Sequence, residues 1–289
     1  ELVARLTKDA GALPMITSCS PGWVKFIEHF YPDLIDHLST AKSPHMMLGT
    51  VLKTYYAEKM GIDPAKMVVV SIMPCTAKKF EVERPEMCDS GHRDVDFVLT
   101  TRETARLIKS AGIKFDNLQN EEFDPAFGYA TGAAVIFGAS GGVMEAALRT
   151  AKFLLTAPAG QVPAQVTSEM LQGVDFTPVR GLEGVKEAEV ELNGVTLKVA
   201  VAHGLMNARK LLDTIAAGES PYHFIEVMGC PGGCISGGGS PMPTNTEIRQ
   251  KRMQAIYSED EALALRASWI VFTTAKATAK PSSGSSTPG

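Results

Sequence analysis

The sequence predicts an α/β fold in which mostly parallel strands are flanked by helices. Two runs, residues 67–73 and 222–228, are apolar and rich in β-formers, as strands buried inside a parallel sheet usually are. Segments with helical spacing of apolar residues alternate with such strands, which is typical of α/β domains. With 289 residues, 45% of them hydrophobic, the chain can form one large domain or two lobes.

The first half of the chain alternates between short strands and helices. Proline and glycine mark the ends of these elements, as in the turn over 18–22 and at Gly61. In order, the patterns predict a helix ending near residue 10, a strand over 13–17, helices over 23–31 and from Pro44 to Met60, strands over 67–73 and 94–99, and a helix over 104–111 capped by Thr101.

The second half contains a hairpin and longer helices. Asn193-Gly194, placed between runs over 187–192 and 196–202, predicts a β-hairpin. Residues 123–140 are rich in glycine and alanine, and 157–172 form the loosest interior stretch. Helices are predicted over 141–155, 207–217 and 247–267, and a strand over 222–228. We expect one functional domain over residues 1–270 and a polar, low-complexity tail over 271–289.

Composition excludes several classes of protein. The net charge of −4 provides no basic surface, so nucleic acid is not an expected partner. No apolar run reaches the roughly 18–20 residues that span a bilayer, and Glu1 does not open a signal-peptide pattern. Five cysteines are too few for a disulfide scaffold and their number is odd, which favours a metal-binding or catalytic use.

Four of the cysteines share one kind of position. Cys19, Cys75, Cys230 and Cys234 all lie in turns rich in proline or glycine, and three of them follow apolar strands. The carboxyl ends of strands are where open α/β sheets bind ligands. Four thiolates are the ligand set of a [4Fe–4S] cubane, and structural zinc is the alternative. Cys88 lies in a charged stretch and is interpreted as a semi-exposed thiol.

The stretch 226–241 (EVMGCPGGCISGGGSP) is the most informative segment. Its glycines remove side chains near Cys230 and Cys234 and leave backbone N–H groups free to approach a bulky, anionic group. Zinc sites more often use a CxxC spacing, and the lysine of a phosphate-binding loop is missing. The stretch by itself is compatible with either an iron–sulfur site or a structural role.

Three segments together resemble the signature motifs of [FeFe]-hydrogenase catalytic domains. They are 17–23 (TSCSPGW), 73–81 (MPCTAKKFE) and 226–241, and supporting stretches occur at 137–146 and 222–226. The resemblance extends over residues 1–270, and the last helix is most similar to that of NAD(P)-linked, multisubunit members. It implies two lobes of mostly parallel sheet flanked by helices, with the H-cluster buried in the cleft between them.

The H-cluster implied by the resemblance is a [4Fe–4S] cubane joined to a diiron centre that carries CO, cyanide and an azadithiolate. Such proteins interconvert protons plus electrons and H2. By correspondence, Cys234 is expected to bridge cubane and diiron centre, with Cys230 and Cys75 as further cubane ligands. Lys78 is expected to pair with a cyanide. The apolar wall around the diiron centre is expected to include Met73, Met228, Phe137 and Pro44; Pro44 fits equally well as a helix-starting residue.

The first motif departs from the family's commonest pattern, which has two adjacent cysteines before the proline. In that pattern the first cysteine relays protons and the second ligates the cubane. Here the pair is Cys19-Ser20. Either Cys19 is the proton relay and Ser20 occupies the ligand position, or Cys19 ligates the cubane and the relay is weakened or becomes Ser20. A serine oxygen is a harder and poorer ligand for this iron.

The resemblance also implies a proton path and partners. Ser39 and Glu1 match two residues of the proton path in similar proteins, while a further glutamate of that path would precede Glu1. No run of cysteines of the ferredoxin type occurs, so electrons are expected to arrive from ferredoxin-like or NAD(P)-linked subunits. Maturation proteins are expected to load the diiron centre. A cytoplasmic location is expected, with the periplasm as the alternative.

A second class of function fits the same cysteines. A non-catalytic relative, acting in iron–sulfur cluster assembly or in sensing, would bind a cubane without a diiron centre. Lys78, Met228 and Phe137 favour the hydrogenase interpretation, because a protein that binds only a cubane has no diiron ligands to hold or shield.

Overall fold

A computed structural model describes residues 1–121, 123–124, 126–127, 131–156, 175–192, 194–263 and 266, without the side chains of 153–156. Six strands are present in this part of the chain: β1 (Met15–Ile16), β2 (Val70–Met73), β3 (Phe97–Thr100), β4 (Val185–Leu192), β5 (Val195–His203) and β6 (Phe224–Met228). Asn193, the interior stretch 157–172 and the predicted tail over 271–289 lie outside the described residues.

Four of the strands form the larger sheet, in the order β1-β6-β5-β4. β6 lies between β1 and β5 and is parallel to both, whereas β4 and β5 are antiparallel. The predicted hairpin is therefore present. The mixed sheet confirms the predicted α/β class, with the hairpin strand β4 at one edge.

The larger sheet is covered on both faces, so β6 is buried throughout and β5 is buried from Val199 to His203. On β5, Val199 and Val201 pack into one apolar cluster, while Ala200 and Ala202 pack into another on the opposite face. All five residues of β6 are buried. The near-continuous apolar character of 222–228 is explained by this burial on two sides.

Ten helices accompany the strands in the described residues. Their bounds are α1 (Leu2–Lys8), α2 (Pro21–Phe30), α3 (Pro44–Val51), α4 (Ala57–Met60), α5 (Lys78–Glu81), α6 (Thr101–Ser110), α7 (Gly132–Ile136), α8 (Gly142–Thr156), α9 (Leu205–Ala216) and α10 (Thr246–Ala262). α3 and α4 are joined by a π-helical turn over Leu52–Tyr56, and Gly61 ends this segment in the left-handed conformation. α6 is capped by Thr100 and not by Thr101, because Thr100 and Glu103 form a reciprocal capping box.

The smaller sheet contains β2 and β3, which are parallel. Strand β2 is shorter than the predicted 67–73, and the expectation that it is buried on both faces is wrong. One face packs on a cluster that includes Met46, Val82, Val95 and Val98. On the other face Val70 and Ile72 are 49% and 58% exposed, because no described element covers that face.

The turn before α2 is tied to the larger sheet by a buried side chain. Thr17 Oγ1 accepts a hydrogen bond of 3.0 Å from the backbone N–H of Val227, and Trp23 Nε1 donates to the Thr17 carbonyl at 2.9 Å. Both Thr17 and Trp23 are buried. The chain that carries Cys19 is therefore held against the strand that leads to Cys230.

Thr17→Val should lower the free energy of unfolding by about 1–3 kcal/mol. The isosteric valine leaves the Val227 N–H buried without its acceptor, which carries the desolvation penalty of that group. Urea denaturation of the cluster-free chain measures the change. Thr196→Val, at an exposed position of β5, is the matched control and should shift stability by no more than about 0.5 kcal/mol. Equal effects of the two substitutions would contradict this account.

Candidate functional site

The four cysteines in turns lie at the carboxyl ends of strands from both sheets. Cys19 lies between β1 and α2, Cys75 follows β2, and Cys230 and Cys234 follow β6. All four are half-buried free thiols, whereas Cys88 is exposed. The structure thus separates Cys88 from the others, in agreement with its interpretation as a surface thiol.

The four thiols influence one another electrostatically, so they are close in space. Cys75 acts on both Cys230 and Cys234, and Cys234 acts on Cys19. Burial, reinforced by Cys75, raises the pKa of the Cys234 thiol to about 11. Burial, reinforced by Cys234 and opposed by the Lys78 ammonium, raises the pKa of the Cys19 thiol to about 12. The Cys19 and Cys234 thiols are therefore protonated at neutral pH when nothing is bound.

The loop after β6 is packed backbone against backbone on both sides. A Cβ at Gly237 would lie 2.1 Å from the Pro74 carbonyl oxygen, and one at Gly233 would lie 2.7 Å from the Ser140 nitrogen. The Gly239 N–H donates to the Pro74 carbonyl at 2.9 Å. Pro74 precedes Cys75, so this contact joins the loop of the larger sheet to the cysteine of the smaller one.

Cys19 and Ser20 face different neighbours. The Ser20 hydroxyl accepts a weak hydrogen bond of 3.3 Å from the Gly229 N–H, directly beside Cys230. Cys19 interacts with Cys234 through its thiol, and its carbonyl accepts a hydrogen bond of 2.8 Å from Lys78 Nζ. Ser20 is therefore the member of the pair that lies against the Cys230 turn.

Lys78 is buried, with 4% of its surface exposed, and is not a surface lysine. Besides the Cys19 carbonyl, its ammonium contacts both carboxylate oxygens of Glu81, at 3.2 and 2.9 Å. Glu81 is equally buried. Lys79, its neighbour in sequence, instead pairs with Glu103 at the surface.

Ser39 and Glu1, the two residues predicted for a proton path, are in direct contact. Ser39 Oγ donates to Glu1 Oε2 at 2.6 Å, and Arg5 donates to Glu1 Oε1 at 2.7 Å. Partial burial would raise the pKa of Glu1, but the hydrogen bonds from Ser39 and Arg5 outweigh it and lower the pKa. Among the described residues, the Cys19 thiol forms no hydrogen bond to Ser39 or Glu1.

The residues predicted for the apolar wall differ in burial. Met228, at the end of β6, is 2% exposed, and Met73 and Phe137 are half-buried. Phe137 lines a cavity of about 330 Å3 together with Glu1 and Ser39. Pro44 is exposed at the first residue of α3. Its observed place is that of a helix-starting proline, so the structure gives no support to its pocket role.

Several side chains of the site were not predicted from the sequence. Arg5 lies four residues after Glu1 on α1, and Glu81 lies three residues after Lys78 on α5, which are spacings at which helical side chains meet. These spacings could have indicated both pairs. His45 and Ser43 reach Glu81 from α3, a contact made through the tertiary fold.

The residues fit an iron–sulfur cluster better than a single metal ion. Within the described part of the chain, no three His, Cys, Asp or Glu side chains converge as ligands of one ion. A cubane instead places each thiolate on a different iron. Cys75, Cys230 and Cys234 supply the soft sulfur ligands that such a cluster requires. The fourth cubane ligand is the exception, because this chain has Cys19-Ser20 where the family's commonest pattern has two adjacent cysteines.

The fold and the site together define an iron–sulfur protein of α/β architecture. Residues 1–238 match the family model described as "Iron only hydrogenase large subunit, C-terminal domain". The chain belongs to this family, and several relatives similar to it are named hydrogenases, which are oxidoreductases. The resemblance derived from the three motifs is therefore confirmed, as is the α/β class.

The chain is similar to several named hydrogenases. It is 53% identical over 257 residues to the NADP-reducing hydrogenase subunit HndD of Solidesulfovibrio fructosivorans, with 89% of this chain and 42% of that protein covered. It is 50% identical to the periplasmic [Fe] hydrogenase large subunit of Nitratidesulfovibrio vulgaris, with 89% and 59% covered. The chain thus spans about half the length of these relatives.

A solved structure and a more distant relative complete the comparison. The chain aligns with the structure of the [FeFe]-hydrogenase HydA1 of Chlamydomonas reinhardtii, in a variant with one glutamate replaced by glutamine. The TM-score is 0.74 and the identity 40%, over 95% of this chain and 74% of that chain. Cytosolic iron-sulfur assembly component 3 of Rattus norvegicus is 34% identical over 89% of this chain and 54% of its own. No helix within the described ranges has the length and apolar character to cross a bilayer.

Alkylation of the cluster-free chain should distinguish the cysteines. At pH 8, Cys88 should react with iodoacetamide at least about a hundredfold faster than Cys19, because the thiolate is the nucleophile and the Cys19 thiol is half-buried with a raised pKa. Mass spectrometry of peptides taken at successive times measures the rates. Comparable rates for the two cysteines in the folded chain would contradict the described burial and charge environment of Cys19.

Proposed function

We propose that the chain is the H-cluster-binding part of an [FeFe]-hydrogenase, which interconverts two protons and two electrons with H2. The observation that supports this most is the combination of three mutually interacting cysteines with a buried ammonium. Lys78 lies against the turn of Cys19, where a site for a cubane alone would have no use for it. The identity to named hydrogenases supports the same assignment.

In this proposal Cys75 and Cys230 ligate the cubane, and Cys234 bridges it to the diiron centre. When bound, the H-cluster would supply electron storage and an open iron site for proton reduction. Ligation requires thiolates, so the raised pKa of Cys230 and Cys234 means that loading releases protons from these thiols. Loading is therefore more favourable at higher pH in the neutral to mildly alkaline range.

Lys78 and the apolar residues have separate tasks. An ammonium in a dry pocket forms strong, charge-assisted hydrogen bonds to an anionic ligand, which suits a cyanide. Met228, Met73 and Phe137 would exclude water around the diiron ligands, so that the ammonium is not screened. Met228 is almost fully buried beside the Cys230 loop, in a place suited to this task.

We assign the proton relay to Cys19 and the fourth cubane position to Ser20. Ser20 Oγ lies against the Cys230 turn, and the Cys19 thiol interacts with Cys234, the proposed bridging residue. A thiol with a high pKa keeps its proton until a stronger base takes it, as a proton donor to a reduced centre must. Ser39 and Glu1, which are already hydrogen-bonded, would carry protons towards solvent.

Electrons would come from another subunit or domain. The similarity to an NADP-reducing hydrogenase subunit supports an NAD(P)-linked partner. A cytoplasmic location is the one that we propose. The relative in Nitratidesulfovibrio vulgaris is named periplasmic, which keeps the periplasm as the alternative location. Ferredoxin-like partners and maturation proteins complete the proposed set.

The second candidate is a non-catalytic iron–sulfur assembly protein. The observation that favours this candidate is the 34% identity to cytosolic iron-sulfur assembly component 3. Its site would require the cubane ligands but no proton relay. The two candidates therefore differ in what the chain does after a cubane is loaded.

Replacement of the proposed ligands should abolish cofactor loading and H2 turnover. We expect Cys230→Ser and Cys234→Ser to lower the iron retained after anaerobic maturation by at least about half, because an oxygen ligand is harder than a thiolate. Iron and sulfide analysis, with H2 evolution from a reduced viologen, provides the measurement. Cys88→Ser is the matched control and should retain full loading and turnover. Full iron content in both ligand variants would refute the assignment.

The substitution Cys19→Ala should show whether Cys19 is a proton relay or a cubane ligand. If Cys19 relays protons, its loss lowers H2 turnover by about 10²–10⁴-fold while the iron content per chain stays unchanged. Ser20→Cys should keep turnover and lower the cubane's reduction potential measurably in a redox titration. Loss of cubane iron in Cys19→Ala would show instead that Cys19 is a cluster ligand.

A further inference from the structure

Lys78 belongs to a series of buried side chains that are joined by hydrogen bonds. The ammonium of Lys78 contacts Glu81, and Glu81 Oε2 lies 2.5 Å from His45 Nε2. His45 Nδ1 in turn lies 3.0 Å from Ser71 Oγ. The side chains of Lys78 and Glu81 are each 5% exposed and that of His45 is 8% exposed. This Lys78–Glu81–His45 network is nearly sealed from solvent.

The network connects three elements around the smaller sheet. Lys78 and Glu81 belong to α5, Ser71 belongs to β2, and His45 is the second residue of α3. Ser43, directly before α3, adds a further hydrogen bond of 3.0 Å to Glu81 Oε2. Ammonium, imidazole and hydroxyl therefore share one carboxylate, and the start of α3 is fixed relative to Lys78.

The geometry determines the hydrogen-bonding state of His45. Glu81 is ionised: burial would raise its pKa, but the hydrogen bond from His45 and the charge of Lys78 outweigh this and lower it. An ionised carboxylate only accepts hydrogen bonds, so His45 must carry a proton on Nε2. Nδ1 shares a hydrogen bond with the Ser71 hydroxyl, which can either donate or accept. Both ring nitrogens of His45 therefore have a partner.

A lysine needs such support if its ammonium is to stay in one place. Its side chain has four rotatable bonds and a single point of charge, so one contact to the Cys19 carbonyl does not define its position. Glu81 provides the second contact, and the orientation of Glu81 is set by His45 and Ser43. The position of the Lys78 ammonium is thereby coupled to a residue on α3.

We propose that His45 and Glu81 are positioning residues that hold the Lys78 ammonium at the cofactor site. His45 orients Glu81, and Glu81 orients Lys78. The hydrogen bond that the Lys78 ammonium can donate to an anionic diiron ligand therefore depends indirectly on His45. The part of this inference that concerns the cofactor rests on the proposed function. The part that concerns Lys78 is a property of the cluster-free chain.

Competitive labelling of lysines tests the proposal without a cofactor. The cluster-free chain is treated with a trace of acetic anhydride, and acetylation of Lys78 is compared by mass spectrometry with that of Lys53. Lys53 is a suitable internal reference because it is buried around the same sheet and pairs with Asp96 at 2.7 Å. Loss of the fold around this sheet exposes both lysines, whereas loss of positioning exposes only Lys78.

Glu81→Gln should raise the labelling of Lys78 relative to Lys53 by about tenfold or more, because the charged hydrogen bond that masks the amine is lost. His45→Phe should raise it by a smaller factor, and His45→Gln should restore it, since an amide N–H can still donate to Glu81. Glu83→Gln and His29→Gln, both at exposed positions, are matched controls and should change nothing.

In the matured chain, His45→Phe should shift the infrared band of a diiron cyanide, and His45→Gln should return it towards its original position. Unchanged labelling of Lys78 in Glu81→Gln and His45→Phe, or a parallel rise at Lys53, would overturn the positioning role. Unchanged cyanide bands despite altered labelling would overturn its extension to the cofactor. Failure of the chain to take up a diiron centre would count against the proposed function and leave the labelling result standing.

Discussion

The site depends on the close contact between the loop after β6 and the backbone before Cys75. Gly237 lies against the Pro74 carbonyl with no space for a side chain, and Gly239 donates its N–H to the same carbonyl, so the two sheets are joined at the point where their cysteines emerge. Because Cys230 and Cys234 belong to this loop, any change in the contact alters the spacing of the thiols. The arrangement of the candidate ligands is thus a consequence of glycine packing as much as of the cysteines themselves.

Buried charges fix the ends of the elements around this contact. Glu226, fully buried on β6, accepts hydrogen bonds from the backbone N–H groups of Gly141 and Met144 at the start of α8, at 2.6 and 2.7 Å. On the opposite side, Glu81 holds Lys78 beside Cys19. Glu226 takes its donors from the start of α8, and Glu81 takes further hydrogen bonds from His45 and Ser43 at the start of α3, so neither buried carboxyl group is left without partners. These contacts join the elements of the site to one another in the cluster-free chain.

The sequence was sufficient for the parts of the site that depend on local pattern. Strands that end in cysteines, the α/β class and the family itself followed from apolar runs and three motifs. What it did not reveal depends on tertiary packing: His45 meets Glu81 only because α3 and α5 pack together, and the bare face of β2 looks identical in sequence to a buried one. The pocket role that the resemblance implies for Pro44 stays a prediction, and the structure shows Pro44 exposed at the first residue of α3.

The central claim is that this site holds a diiron centre in addition to a cubane. The most direct test is infrared spectroscopy of the chain after anaerobic maturation with the proteins that load the H-cluster. The account predicts stretching bands of metal-bound carbon monoxide and cyanide. A preparation that contains only cubane iron after the same treatment, without these bands, would contradict the claim and favour the assembly-type function.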